Sequence, residues 1–233
     1  MIRKIVGRIL DNSSRIAAGK AADSLALGML NDVDIGIDFM PWTKAAMRPS
    51  TIVHILNEIF INERRSIIEF GSGISTLYLA WAAKKTEARV LSIEENEGWS
   101  EKIRDLLKRK QLDEFCDVRS VKRRDVSMHG YKSHWYDFDL VKEIIEHKTF
   151  DLMIVDGPTA FQKGQADARR PAVDALRANL AENYAIFLDD AMRAGEKRIL
   201  AAWEASLGLK ASLEPVAGGH AFLGSGDRYY SGL

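Results

Sequence analysis

Residues 67–76 read IIEFGSGIST: an apolar run carrying Glu69 passes straight into Gly71-Ser72-Gly73. Two glycines two apart let a backbone turn sharply and approach a ligand with no side chain between. Glu94 ends the next apolar run. A carboxylate there can accept from both hydroxyls of a ribose. A dinucleotide site would show G-x-G-x-x-G, with a pyrophosphate on helix N–H groups. Here Thr76 holds the third glycine position. The unit therefore reads as a nucleoside site without a pyrophosphate cradle. Taken singly, each part has a plainer reading. The glycines alone make a tight strand-to-helix turn, and Glu94 alone is a solvated strand-end carboxylate. Their joint spacing is what points to a ligand.

A second set is carboxylate only. Asp156 closes one apolar run and Asp189-Asp190 close the next. Three ionised acids brought together would repel. A divalent cation removes the conflict, and oxygen ligands without thiol or imidazole suit Mg²⁺, Ca²⁺ or Mn²⁺. The alternatives are that Asp156 closes a turn with Gly157-Pro158, and that Asp190 caps a following helix.

These residues need elements to hold them. Apolar periodicity predicts a helix over 43–62, then alternation. Strands are expected at 66–70, 88–94, 116–121, 150–156 and 184–190. Helices are expected at 75–85, 97–110, 139–148, 166–181 and 195–208, with a hairpin near the C-terminus. The polar and aromatic stretch between 121 and 139 reads as a long loop. Such alternation means an α/β, Rossmann-like, doubly wound sheet, mainly parallel, with helices on both faces. Right-handed crossovers gather the strand carboxyl ends on one edge, where ligands bind. The acids named above all fall at that edge. The division expected is an N-terminal helical extension or lid, 1–62, and a ligand-binding domain, 63–233.

Three stretches, "IIEFGSGISTLYLA", "VLSIEENEGW" and "FDLMIVDGP" followed by "RRPAVDAL" and "AIFLDDAMR", resemble the ordered motifs of class I S-adenosylmethionine-dependent methyltransferases. The later part is similar to the small metal-dependent O-methyltransferases of catechols and macrolide sugars. The likeness spans about residues 64–193. It implies a seven-stranded sheet with the last strand antiparallel. It also implies S-adenosylmethionine at Gly71, Ser72, Gly73 and Thr76, with Glu94 on the ribose and Glu69 toward the methionine end. Asp125 is the candidate adenine contact. Asp156, Asp189 and Asp190 match the metal acids, Mg²⁺ being the expected ion, and Asp156 is the candidate catalytic residue. Metal-bound hydroxyls lose protons more easily, so a diol, phenol or sugar is the expected small-molecule acceptor. The catechol-type lysine, three residues after the first metal acid, is here Thr159. Lys163, His129 and His134 are loop candidates for a base, and Arg169 and Arg170 for holding an anionic acceptor.

Bulk properties exclude other classes. With 46% apolar residues and balanced charge, 33 basic against 33 acidic, the chain can fill a core and shows no nucleic-acid track. A single cysteine, Cys116, fits a reducing, cytoplasmic setting. No stretch approaches a membrane span. Ile2, Ile5, Val6 and Ile9 share a helical face, for packing on the domain, on a second subunit or on a membrane surface. The segments 39–51 and 129–139 are lid candidates, with Trp42, Met47, Trp135 and Tyr136 as apolar surface. An N-methyltransferase, a nicotinamide enzyme and a cofactor-binding protein without turnover are the rival readings.

Overall fold

The computed structural model describes residues 2–36, 42–128, 130–216 and 218–233, and of residues 2–12 the helical backbone alone. Ile2, Ile5, Val6 and Ile9, His129, and the lid residues Phe39, Met40 and Pro41 thus fall outside the described side chains. The chain opens with helices α1 (Ile2–Asn31) and α2 (Pro49–Ile61). Then come β1 (Ser66–Phe70), α3 (Ile74–Thr86), β2 (Arg89–Glu94), α4 (Glu97–Arg109), β3 (Cys116–Ser120), β4 (Arg123–Met128) and β5 (Tyr131–Tyr136). After α5 (Phe138–Ile144) follow β6 (Phe150–Val155), α6 (Pro171–Leu176), β7 (Leu180–Leu188), α7 (Ala194–Leu207), β8 (Ser212–Leu213) and β9 (Ala221–Gly224).

Among the described residues the main sheet has seven strands, ordered β3-β2-β1-β6-β7-β9-β8. β3, β2, β1, β6 and β7 run parallel, and β9 runs antiparallel to both β7 and β8. This is the expected Rossmann-like sheet with its last strand reversed. The strand order turns back between β1 and β6. There Phe70 lies beside Val155, so the residues after both strands emerge together.

The near-continuous apolar runs follow from burial on both faces. Successive side chains point to opposite sides of a strand. Ile67, Val90, Leu152 and Ile154 therefore join one core with α1, α2, α3 and α4. Ile68, Leu91, Met153 and Val155 join the other, with the β4–β5 hairpin, α5, α6 and α7. Each fully buried Ile, Leu or Val contributes about 1.5–3 kcal/mol. Ile52, Ile55 and Ile59 of α2 belong to the first core, so this helix is a layer of the fold. On α1, Ala26 and Leu30 are buried while Ile16, Leu25 and Met29 stay exposed. No helix among the described residues is long and apolar enough to cross a membrane.

Two expectations change. The stretch taken for a long loop contains the β4–β5 hairpin, paired from Arg123↔Tyr136 to Met128↔Tyr131. Its inward residues Val126, Trp135 and Tyr136 cover the second core. The helix expected over 166–181 shrinks to α6, which Pro171 starts. A 3-10 turn at Arg177–Asn179 ends it, and Leu180 already pairs with Phe150. Tertiary pairing overrides the helical propensity of residues 180–182.

Candidate active site

The carboxyl ends of β1, β2 and β6 open into one cleft of about 440 Å³. Gly71, Ser72, Gly73, Glu94, Asp156 and Asp190 line it, together with Tyr136, Arg169, Phe161 and the segment Thr43–Met47. The structure thus brings together most of the residues singled out in the sequence.

The glycine turn is built from several elements. Gly71 takes φ +95°, and its N–H donates to Ile93 O (2.8 Å). Ser72 N–H donates to Glu94 Oε2 (2.9 Å), and Asn96 N–H to Glu94 Oε1 (2.8 Å). Each Glu94 oxygen keeps a lone pair, enough for two vicinal hydroxyls. Burial raises its carboxyl above the usual range, while the two N–H donors pull it back. Trp99 Nε1 donates to Ser72 O (2.8 Å) and fixes the turn from α4.

Glu69 and Thr76 stand behind this turn rather than in the cleft lining. Both are 0% exposed. Glu69 accepts from Ser75 Oγ, Thr76 Oγ1 and Ser92 Oγ, each at 2.6 Å. Thr76 Oγ1 also accepts from Gly73 N (2.8 Å), and Ser72 Oγ meets Ser92 Oγ at 2.8 Å. Burial pushes the Glu69 carboxyl up to about 7 against these hydroxyls. Its contacts make it the brace that shapes the turn.

The acid cluster is held differently from the expectation. Ligand oxygens of Asp156, Asp189 and Asp190 lie within 4.8 Å of one another. A guanidinium is already among them: Arg169 Nη2 donates to Asp156 Oδ1 (3.0 Å), and Nη1 sits 3.6 Å from Asp190 Oδ2. Arg193 Nη2 lies 2.8 Å from Asp190 Oδ2. Asp190 has φ +58°, an unusual conformation for a non-glycine residue. The N-cap of α7 is Arg193, so Asp190 does not cap that helix. Asp189 is buried behind the cleft. Burial raises both Asp156 and Asp189; Asp190 pushes each further up and Asp156 pushes Asp189 up, while the Arg169 guanidinium pulls both back.

Asp125 is not brought to the cleft. Alternation along β4 turns Val126 inward and leaves Asp125 outside. Its carboxylate is exposed and pairs with His134 Nδ1 (2.9 Å). Neither His134 nor Lys163 is among the lining residues. Arg170 stacks over Tyr131, 3.8 Å from the ring centroid, while Arg169 enters the cleft.

Two residues take roles that the sequence reading did not give them. Glu95 Oε1 accepts from Thr159 N (2.9 Å) and Oε2 lies 3.2 Å from Arg123 Nη1, tying the hairpin to the loop after β6. Tyr136 is 0% exposed, lines the cleft, and its hydroxyl has no hydrogen-bond partner among the described residues. Burial, Glu94, Glu95 and Asp156 hold that phenol neutral. Only the adjacency of Glu95 to Glu94 hinted at the first; the second was expected as apolar surface of a lid, not as a buried hydroxyl facing the cleft. Tyr136→Phe removes one unpaired hydroxyl. Stability is expected to hold or rise by up to about 1 kcal/mol. S-adenosylhomocysteine affinity, read by calorimetry, is expected to fall several-fold if this oxygen serves the ligand. An unchanged affinity removes it from the site.

No protein-family model matches the sequence, and no curated protein matches it. Solved structures do. An O-methyltransferase from Bacillus cereus in complex with S-adenosylhomocysteine aligns with a TM-score of 0.58 at 16% identity, covering 88% of this chain and 91% of that one. The S-adenosylhomocysteine-bound methyltransferase PaMTH1 of Podospora anserina aligns at 0.55 and 16%, covering 90% and 88%. The O-methyltransferase TomG of Streptomyces achromogenes, solved with S-adenosylmethionine, aligns at 0.52 and 15%, covering 88% and 90%. What this chain shares with these methyltransferases is their fold, across nearly its whole length.

Proposed function

We propose that the protein is an S-adenosylmethionine-dependent methyltransferase that methylates a hydroxyl of a small molecule. One observation carries this reading. Glu94, locked by two backbone N–H groups, shares a cleft with the Gly71-Ser72-Gly73 turn and with Asp156. The first two suit an adenosyl ribose, and the third suits a proton acceptor beside it. The solved structures with the same fold support the choice of cofactor.

S-adenosylmethionine supplies, when bound, an electrophilic methyl on a sulfonium. The chain has to hold it, exclude water and take the acceptor's proton. Glu94 accepts the ribose hydroxyls. Met47, Ala46 and Phe161 give the cleft apolar walls. Asp156 would receive the acceptor's hydroxyl proton, while the cofactor would give up its methyl to the acceptor oxygen and leave as the neutral thioether. The raised affinity of Asp156 for a proton, from burial, suits that role.

The divalent cation expected from the carboxylates does not fit the cluster. An ion bonded to Asp156 Oδ1 at about 2.1 Å would stand within about 5 Å of the guanidinium donating to that same oxygen. The repulsion is about 7 kcal/mol at an effective dielectric of 20. The convergence of the three acids within 4.8 Å and the orphaned oxygens Asp189 Oδ1 and Glu196 Oε1 are what favour a metal. No step above needs the ion.

Glu94→Ala tests the cofactor assignment. Losing charge-assisted hydrogen bonds is expected to weaken S-adenosylhomocysteine binding roughly 10- to 100-fold. Asp156→Asn is expected to leave that affinity within a few-fold and to stop turnover. Calorimetry that finds wild-type affinity in Glu94→Ala would overturn the reading.

A further inference from the structure

Resting on that reading, the geometry points to Arg169 as the resident cation of the carboxylate cluster: a positioning residue that aims Asp156 and keeps divalent metals out. Arg169 is 3% exposed. Its Nη2 donates to Asp156 Oδ1 (3.0 Å), Nη1 to the Asp189 main-chain O (3.0 Å), and Nε to Pro158 O (3.4 Å). Nη1 also lies 3.6 Å from Asp190 Oδ2 and 3.8 Å from Glu196 Oε1. One guanidinium thus clamps the loop after β6, the loop after β7 and the start of α7. A planar fork with five fixed donors suits such a meeting point, and it carries its charge at any working pH.

The backbone that delivers Arg169 is fixed as well. A Cβ on Gly195 would meet Ala166 O at 2.1 Å, so the segment before α6 is pressed against the first turn of α7. Turn bonds from Ala168 N to Gln165 O (2.9 Å) and from Arg170 N to Asp167 O (3.1 Å) set its course. Arg193 completes the arrangement. Its Nη2 is 2.8 Å from Asp190 Oδ2 and its Nη1 3.8 Å from Glu196 Oε1, so Asp190 lies between two guanidiniums. The places a metal would fill around these acids hold permanent cations.

The consequence is a cluster whose charge does not depend on dissolved ions. With Oδ1 pinned by Arg169, Asp156 presents its carboxylate to the cleft in one orientation, and the acceptor proton goes there. Cofactor binding and turnover are then insensitive to chelators.

The test titrates Mn²⁺ into wild type, Arg169→Gln and Arg169→Lys, following free Mn²⁺ by electron paramagnetic resonance. S-adenosylhomocysteine affinity is measured in parallel with and without EDTA. Wild type and Arg169→Lys are expected to leave Mn²⁺ free. Arg169→Gln uncovers the acids and is expected to bind Mn²⁺ at least roughly tenfold more tightly than wild type. EDTA leaves wild-type S-adenosylhomocysteine affinity unchanged. Stoichiometric Mn²⁺ uptake by wild type overturns the proposal, as does a folded Arg169→Gln that stays silent. The wild-type arm decides even if Arg169→Gln fails to fold. Absent S-adenosylhomocysteine binding would instead sink the cofactor reading, leaving the Mn²⁺ result to judge Arg169 alone.

Discussion

Gly71→Ala is expected to cost about 2–5 kcal/mol of stability, whereas Gly73→Ala costs about 1 kcal/mol or less and acts on the ligand instead. The two glycines look equivalent in the sequence, and they are not. At Gly71 a methyl group would meet Gly157 N at 2.6 Å and Gly157 Cα at 2.9 Å. These are backbone atoms of the adjacent strand end, and they cannot swing aside. Gly157 N–H donates to Phe70 O (2.5 Å), so the two chains are fastened where they touch. The positive φ adds strain for any residue with a Cβ. At Gly73 the backbone is extended (φ −168°), and an added Cβ meets nothing within 4 Å. That space belongs to the cleft wall. A methyl group there is expected to lower S-adenosylhomocysteine affinity roughly tenfold, the size of an overpacked contact. Urea denaturation and calorimetry on both variants give the comparison. Equal stability losses, or wild-type affinity in Gly73→Ala, would mean that both glycines serve only the turn.

That contrast shows what could be read in the sequence and what could not. The central strands were legible because burial on both faces leaves apolar runs of strand length. Glu94, Asp156 and Asp189-Asp190 were legible because acids are rare at the ends of such runs, and strand ends share an edge. The brace role of Glu69 was not. It depends on Ser75, Thr76 and Ser92 closing around it, and hydroxyls in a sequence carry no direction. Asp125 failed for a related reason. One step of β alternation decides whether a residue faces the core or water, and the strand there was unrecognised. The clamp of Arg169 was hidden because its partners lie on other elements, and the burial of Tyr136 because the hairpin that carries it was taken for a loop. Electrostatic reasoning did find that three clustered acids need positive charge. It named a dissolved cation; the fold also brings a guanidinium there from 13 residues beyond Asp156, and it is this charge that our proposal puts in the cation's place.

Acid is expected to loosen the attachment of the C-terminal tail, through two histidines with no part in the cleft. Ser231 Oγ donates to Glu58 Oε2 (2.6 Å) and so accepts from His54 Nε2 (3.1 Å). His54 Nδ1 then accepts from His220 Nε2 (2.7 Å), and His220 Nδ1 accepts from Thr51 Oγ1 (3.1 Å). Every contact in this relay is satisfied with both rings neutral. Beyond it, Glu58 Oε1 is closed by buried Arg64 (2.7 Å). Burial lowers His54 to about 4 and His220 to about 3. A folded-state value below the unfolded one means the unfolded chain takes up protons first. The stabilisation is therefore full above about 6.5 and drains as pH falls toward those values. Each ring contributes about 3 kcal/mol of that loss by pH 4. Glu69 has the opposite sign. Raised to about 7, it favours the fold at low pH and loses that contribution as pH rises from 4.5 to about 7. The two effects partly cancel in wild type, so the wild-type profile alone is a poor reporter. The difference between wild type and His54→Gln/His220→Gln isolates the histidines, because Glu69 is common to both. Urea midpoints between pH 8 and 4 are expected to show the variant weaker at pH 8, with the gap closing as pH falls. A gap that stays constant across that range would mean that folding does not change how readily the two rings take up protons.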